Sequence, residues 1–489
     1  MHFLQKIYIF LLSPVGKLTA RLSNRIKTAV LFACCVAINV YFMAFHSIPG
    51  RDFFVLDLNR SHVIACLILL IMICFSINGN LRIVRWNRFL FYSFMITGIG
   101  MFFISFLHTV GDGYRAFSLI FLIGFPCLYF VWNNRSDYDT LFCLISSSTA
   151  ITGLIYFVYC IRLSLLGELV GEAGRRATGN MQNANLFCMI GMVMVSCGAY
   201  LLLATNKKIA WLILSVMSIG AGVSIVLMGG SRTSMIVIIG TAFCLIVYYF
   251  KYNYYHQNLE KPLKRIGIAL VTIMIILSFI ALGEQMMSVN RIIHKAMAER
   301  EQKESIQVSE ALEISKQTEN DEKSSTMTEG SFGRFKTSED ASINKYSSGR
   351  IRIWEGYARH LNLLGNDFCS TDWNELTGTP VRHAHNNFLE YGYRFGVPIA
   401  LMHCAIELYV GIIALMFLFS RKYKEPCYFF VIVNVMMYAC ESLVEVATLP
   451  FERLAPFFFY LAITPVFAFI RNKEHLAEVN KEKNNSADK

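Results

Sequence analysis

Twelve apolar runs constrain this 489-residue chain more than any other feature. They lie near 28–46, 61–77, 89–108, 116–132, 140–161, 184–204, 209–228, 234–250, 266–283, 396–420, 426–440 and 455–470. About 20 apolar residues of helix cross the roughly 30 Å hydrocarbon layer of a bilayer. Backbone groups in lipid must be satisfied internally, so each run is expected to be helical. The expected fold is an all-α polytopic membrane protein with about 12 transmembrane helices and one large external loop. Composition agrees, with 55% hydrophobic residues and only 16% charged ones, where a soluble domain carries about a quarter. The short run Phe3–Leu12 reads as an interfacial helix or a weak first span. It lacks the small-residue cleavage site of a removed signal.

A formal charge of +11 invites a nucleic-acid reading, but the location of the charges argues otherwise. With the N-terminus inside, the short inner segments hold twenty-three Lys and Arg and the short outer loops eight. That asymmetry is the positive-inside pattern. Both termini are therefore expected in the cytoplasm of a multi-pass cell-membrane protein, and the partner is membrane lipid, not nucleic acid. Of fourteen cysteines nearly all lie in apolar runs, and only Cys369 lies in the large loop. Without a CxxC pair or a regular framework, they read as small packing residues, not as disulfides or a zinc site.

The chain divides into 1–283 with nine helices, a loop over 284–384, three helices over 385–470, and a cytoplasmic tail over 471–489. The first part of the loop, from Glu299 to Asn344, is polar and expected to be flexible, with a short helix near 308–316. Later, Ile351, Ile353, Trp354, Tyr357, His360 and Leu361 predict an amphipathic helix near 348–362 that packs on the membrane domain.

This topology brings four polar clusters to the outer face. They are Arg175-Arg176-Ala177-Thr178-Gly179 with Asn183 and Asn185, Gly229-Gly230-Ser231-Arg232-Thr233, Gly349-Arg350 with Arg352 and Trp354, and His383-Ala384-His385-Asn386-Asn387. Arg175 and Arg176 equally suit loop charges reaching lipid headgroups, and Arg350 and Arg352 suit the polar face of an amphipathic helix. Arg232 opens a helix, where amides and dipole favour an anion and a guanidinium matches phosphate oxygens. His383 and His385 are two apart, so on a helix they face apart, which makes a metal pair weak. Several arginines suit a diphosphate without a metal, and a histidine neutral near pH 7 suits general-base work on a hydroxyl. A diphosphate reached from the membrane implies a lipid-linked donor, and the reaction is then its displacement by an acceptor hydroxyl.

At these residues the chain resembles the O-antigen ligase and O-antigen polymerase superfamily of bacterial envelope glycosyltransferases. Family members have about twelve spans and a large external loop late in the chain. They also carry a His-Asn pair followed at fixed spacing by a glycine, matched here by His385-Asn386 and Gly396. The small residue usual three positions later is Ile399. The Arg-x-x-Gly with a downstream asparagine pair is similar to Arg176-Ala177-Thr178-Gly179 with Asn183 and Asn185, without the frequent proline. Ser231-Arg232-Thr233 and Gly349-Arg350 with Trp354 match two further motifs. The resemblance implies an inverting transfer of an oligosaccharide from undecaprenyl diphosphate to a glycan, glycolipid or protein acceptor. Arg176, Arg232 and Arg350 would bind the diphosphate and His385 would activate the acceptor. Asn386 would orient the histidine or cap a helix. No cofactor, metal or nucleotide is implied.

The rival class is a transporter, such as a flippase for lipid-linked oligosaccharide. His403 and Glu407 keep it open, being i,i+4 inside an apolar run, although a buried pair that orders the bundle fits them as well. Glu441 and Glu445 read as a second acid/base locus or as a wet helix end. A purely structural scaffold gives Arg232 and His385 no reason to converge. Ligase and polymerase share the donor and differ in acceptor.

Overall fold

A computed structural model describes residues 1–45, 58–108, 115, 118–170, 176–181, 183–204, 209–253, 262–312, 350–366, 384–445 and 453–469. Arg175, Gly349, His383, the region 313–349 and the tail lie outside these residues, as does the side chain of Arg352. The described residues are mostly helical. In order they are α1 (His2–Thr19), α2 (Asn24–Val40), α3 (Leu58–Ser76), α4 (Arg88–Ile104), α5 (Phe125–Arg135), α6 (Tyr138–Leu165), α7 (Ala184–Ala204) and α8 (Ile209–Gly229). Then follow α9 (Arg232–Asn253), α10 (Pro262–Leu312), α11 (Arg350–Arg359), α12 (Asn387–Phe395), α13 (Val397–Phe419), α14 (Pro426–Val444), α15 (Leu454–Ala462) and α16 (Thr464–Ala468). Single π turns extend α2 over Tyr41–Phe45 and precede α5 over Ile120–Gly124.

Among the described residues, eight helices are long and apolar enough to cross a membrane, and three shorter apolar helices accompany them. The chain is thus a polytopic membrane protein. Helix starts follow local chemistry. Ser23, Asn87 and Asp137 accept bonds from the amides of Ile26, Leu90 and Thr140, caps worth about 1 kcal/mol each. Proline stands in the first two positions of α13, α14 and α16, where its missing N–H costs nothing.

Between apolar helices, lipid gives no hydrophobic drive, so small and polar residues do the joining. Asn39 of α2 donates to Ser148 Oγ of α6 at 3.1 Å and accepts from Thr149 Oγ1 at 3.1 Å. Where α7 meets α8, a Cβ on Gly191 would lie 2.5 Å from the Gly222 carbonyl oxygen, and one on Gly222 would lie 2.6 Å from that of Gly191. Only glycine permits this approach. The early and late helices share one aromatic core: Phe94 stacks on Phe121 at 4.4 Å, and the Tyr129 hydroxyl donates to the Tyr460 carbonyl at 2.7 Å.

The structure differs from expectation at the loop boundary. Helix α10 runs 51 residues without a break, roughly 77 Å at 1.5 Å per residue. Residues 284–312, expected as the start of the loop, are therefore helical, and 308–312 end this helix instead of forming their own. The reason is composition: this stretch is polar but rich in Ala, Glu, Gln, Lys and Met, all strong helix formers. The amphipathic helix does form, as α11. Its Ile353 and Tyr357 are buried with Tyr393 and Ala384, and the Tyr357 and Tyr393 rings lie 5.0 Å apart.

Candidate active site

The loop from α6 to α7 is tied to its neighbours by backbone bonds. Ala177 N–H donates to the Met228 carbonyl, and the amides of Thr178 and Gly179 donate to that of Leu169. Asn180 ties it further, accepting from the Tyr156 hydroxyl and donating to the Met43 carbonyl. These contacts place Arg176 beside the end of α8. Its Nε donates to the Gly229 carbonyl at 2.5 Å and its terminal nitrogen to Asn185 Oδ1 at 3.0 Å. Arg232 opens α9 three residues past that carbonyl, with its side chain exposed.

The histidine segment is equally built. Asn386 caps α12, accepting from Leu389 N–H at 3.1 Å, while its amide donates to the Leu443 carbonyl at 3.0 Å. Both ends of that side chain are thus engaged in joining α12 to α14, which favours capping over direct orientation of the histidine. Buried Glu390 accepts from the Ala384 amide at 2.8 Å and pairs with buried Arg394 at 2.5 Å. Between Ala384 and the cap, His385 adopts φ +49°. Such left-handed backbone is uncommon for a side-chain-bearing residue, and where the surroundings enforce it, it clusters at functional sites.

Glycine 396 has a steric explanation. It separates α12 from α13 with φ +86° and ψ +157°, a conformation essentially confined to glycine. A Cβ there would overlap the Leu363 carbonyl oxygen, because the segment after α11 crosses at that point and Val397 N–H donates to the Asn362 carbonyl at 2.9 Å. Gly396→Ala is expected to lower stability by roughly 3 kcal/mol or more and to loosen the cradle of His385. Thermal unfolding in detergent checks this; an unchanged midpoint would show that the crossing yields freely.

Glu445 is where the clusters meet. It sits one residue past α14 in extended conformation, its side chain only 6% exposed. Its Oε1 accepts from Arg350 at 2.6 Å and from the Asn185 amide, and its Oε2 lies 3.2 Å from His385 Nδ1. Burial alone pushes this carboxyl up, but the His385 hydrogen bond and the nearby charges of Arg350 and Arg453 outweigh it and hold it below the usual carboxylate range. An ionised carboxylate only accepts, so His385 Nδ1 carries a proton toward it, and in the neutral imidazole Nε2 is then the nitrogen with the lone pair. The His385 side chain is 32% exposed, which leaves room for a partner. A depressed folded-state pKa stabilises above the unfolded value, about 4.3 for Glu, and the contribution fades as pH falls through the folded value. Acidification from pH 6 to pH 3 is therefore expected to cost wild type more stability than Glu445→Gln, and equal losses in a pH series of unfolding scans would contradict this.

Three of the residues picked from sequence, Arg176, Arg350 and His385, are thus brought into one network, with Asn386 at its base and Arg232 at the adjacent helix start. Sequence reasoning missed the hub. From sequence Glu441 and Glu445 read as a second acid/base locus or a wet helix end; the wet-end reading fails, since they are 2% and 5% exposed. The available signal was two carboxylates i,i+4 at the edge of an apolar run. Arg453, just before α15, carried no distinctive signal, and the asparagine pair that includes Asn185 was legible as a motif but its bridge from Arg176 to Glu445 was not.

A second histidine–carboxylate pair lies within α13, where buried His403 Nδ1 has no hydrogen-bond partner among the described residues. His403 Nε2 lies 2.9 Å from Glu407 and 3.2 Å from the Tyr438 hydroxyl, while Ser442 donates to Glu407 at 3.0 Å and Tyr391 stacks on the imidazole at 4.2 Å. These bonds join α12, α13 and α14. No protein-family model and no curated protein matches the chain.

Proposed function

We propose that this protein is an O-antigen ligase/polymerase-type glycosyltransferase, moving an oligosaccharide from undecaprenyl diphosphate to an acceptor hydroxyl on the external face of the cell membrane. The observation that carries this reading is the histidine–carboxylate pair of His385 and Glu445 set among Arg350, Arg176 and Arg453. In the reaction His385 Nε2 takes the proton of the acceptor hydroxyl. The acceptor oxygen forms its bond to the anomeric carbon, and the bond from that carbon to the diphosphate oxygen breaks. Polyprenyl diphosphate leaves with the electron pair, and attack from the opposite face inverts the centre. Ionised Glu445 fixes the tautomer and stabilises the imidazolium that forms. The exposed Arg232 and the arginines of the network stabilise the departing diphosphate.

About twelve spans, cytoplasmic termini and an external loop belong to this reading, since they put the cluster beside a lipid-borne donor. The transporter reading rests on His403 and Glu407, whose contacts with Tyr438 and Ser442 across α13 and α14 suit helix packing. Proteoliposomes with a lipid-diphosphate oligosaccharide and a panel of acceptors separate the two. Product from wild type, absent with His385→Ala, supports transfer, and a size ladder marks polymerisation against single ligation. Labelled lipid crossing the bilayer without product, unaffected by His385→Ala, sinks the transferase reading.

A further inference from the structure

Helix α1 is not among the helices long and apolar enough to cross a membrane. It packs instead on α3, α5 and the polar connector from α3 to α4. The Gln5 amide donates to the Val84 carbonyl and accepts from the Val84 N–H, both at 3.0 Å. The Tyr8 ring lies 5.7 Å from that of Phe130. A Cβ on Gly16 would lie 3.1 Å from Ile77, whose carbonyl accepts from Lys27 at the start of α2. These contacts bury Gln5, Tyr8, Leu12 and Thr19, one stripe at helical spacing, and so decide which face α1 turns away. The opposite stripe carries Phe3, Lys6, Phe10 and Lys17, with Leu18 at its edge, all exposed. Phe3 and Phe10 are 77% and 78% exposed, so nothing within the protein covers them. The connector that Gln5 clamps adds exposed Arg82 and Arg85 at the same end of the bundle, and the turn into α2 adds Arg21 and Arg25. Among residues 1–45 and 58–108 there is no Asp or Glu to offset these charges.

We infer that α1 and the α3–α4 connector form a binding surface for anionic phospholipid in the bilayer leaflet at this end of the bundle. Phe3, Phe10 and Leu18 enter the acyl region, and the lysines and arginines meet the phosphates. The surface rests on the polytopic fold alone, so its failure leaves the transferase reading untouched. Charge and pattern together select the occupant. Apolar and basic side chains alternate along one stripe, as in a helix that lies in the membrane interface, and the lysine stems let the ammonium groups rise to headgroup level. A nucleic acid or an acidic protein would match the cations but leave two phenyl groups in water. A zwitterionic lipid would cover the phenyl groups but set its own cation against the lysines. Each basic residue held near an anionic membrane surface strengthens the attraction about fivefold, and salt screens it.

The test uses the full-length protein in non-ionic detergent with a phosphatidylglycerol probe carrying a diazirine near the head of one acyl chain. Crosslinks mapped by mass spectrometry are expected on α1 and on residues 81–85, and they should weaken at high salt. Lys6→Gln with Lys17→Gln and Arg85→Gln is expected to lower this labelling about tenfold or more. Phe3→Ser with Phe10→Ser is expected to lower it severalfold. All five positions are exposed, so unfolding midpoints should stay at the wild-type value, which separates a lost surface from a lost fold. Unlabelled phosphatidylglycerol should displace the probe, while phosphatidylcholine, inorganic phosphate and a single-stranded oligonucleotide should displace it poorly. Labelling that maps to other helices, is unchanged in the triple variant, or is displaced equally by phosphatidylcholine overturns the proposal. Equal displacement by inorganic phosphate or by the oligonucleotide overturns it too, by assigning the cations to a soluble anion.

Discussion

Glu445→Gln is expected to reduce glycan transfer by roughly 100-fold or more, within the range by which general acid–base machinery accelerates reactions. The substitution keeps the shape and removes the charge. Arg350 loses its 2.6 Å ion pair, and His385 loses the acceptor that holds its Nδ1 proton. An amide can present either a donor or an acceptor to that nitrogen, so the tautomer with a lone pair on Nε2 is no longer enforced. Stability should fall as well, by about 3 kcal/mol, because removing one member of a largely buried pair leaves the other charge uncompensated. The two effects are separable. Arg350→Met with Glu445→Gln is expected to recover part of the stability without recovering transfer. If the double variant regained activity, Glu445 would be serving only to neutralise Arg350.

His385→Ala is expected to lose between 100-fold and 10,000-fold of the transfer rate, with little loss of stability. The imidazole is a third exposed, and it occupies left-handed backbone that costs roughly 1 to 3 kcal/mol for a side-chain-bearing residue. His385→Gly relieves that strain while removing the same base, so its unfolding midpoint should equal or exceed that of His385→Ala while transfer stays lost. A substitution that is neutral or favourable for the fold and ruinous for the rate is the signature of a residue kept for chemistry. Full activity in either variant would remove His385 from the reaction.

Much of the fold was legible because the bilayer leaves few options. A helix coincides with each apolar run, and the caps at Ser23, Asn87 and Asp137 are ordinary local signals. The overrun of α10 was not legible from hydropathy, which stops near residue 283, whereas helix propensity continues through Ala-, Glu- and Lys-rich residues to Leu312. For the site, the expectation that the arginines and His385 share one face could be read from the charge pattern and the spacing of apolar runs. Their common partner could not. Glu445 lies 60 residues from His385 in the chain and 95 from Arg350, and its burial depends on how the end of α14 folds against α12 and the loop before α7. A carboxylate at the edge of an apolar run looks the same in sequence whether water or three side chains surround it. Arg453 shows the same limit, since a single arginine before α15 acquires meaning only through the carboxylate it acts on.

The most direct measurement is single-turnover release of polyprenyl diphosphate. Purified protein in proteoliposomes is loaded with lipid-diphosphate oligosaccharide, and acceptor is then added. Wild type should release the diphosphate together with an inverted glycosidic product, at equal rates and only when acceptor is present. His385→Ala and Glu445→Gln should bind the same donor and release almost none. Equal release by wild type and both variants, or release without acceptor, would contradict a reaction centred on His385 and Glu445.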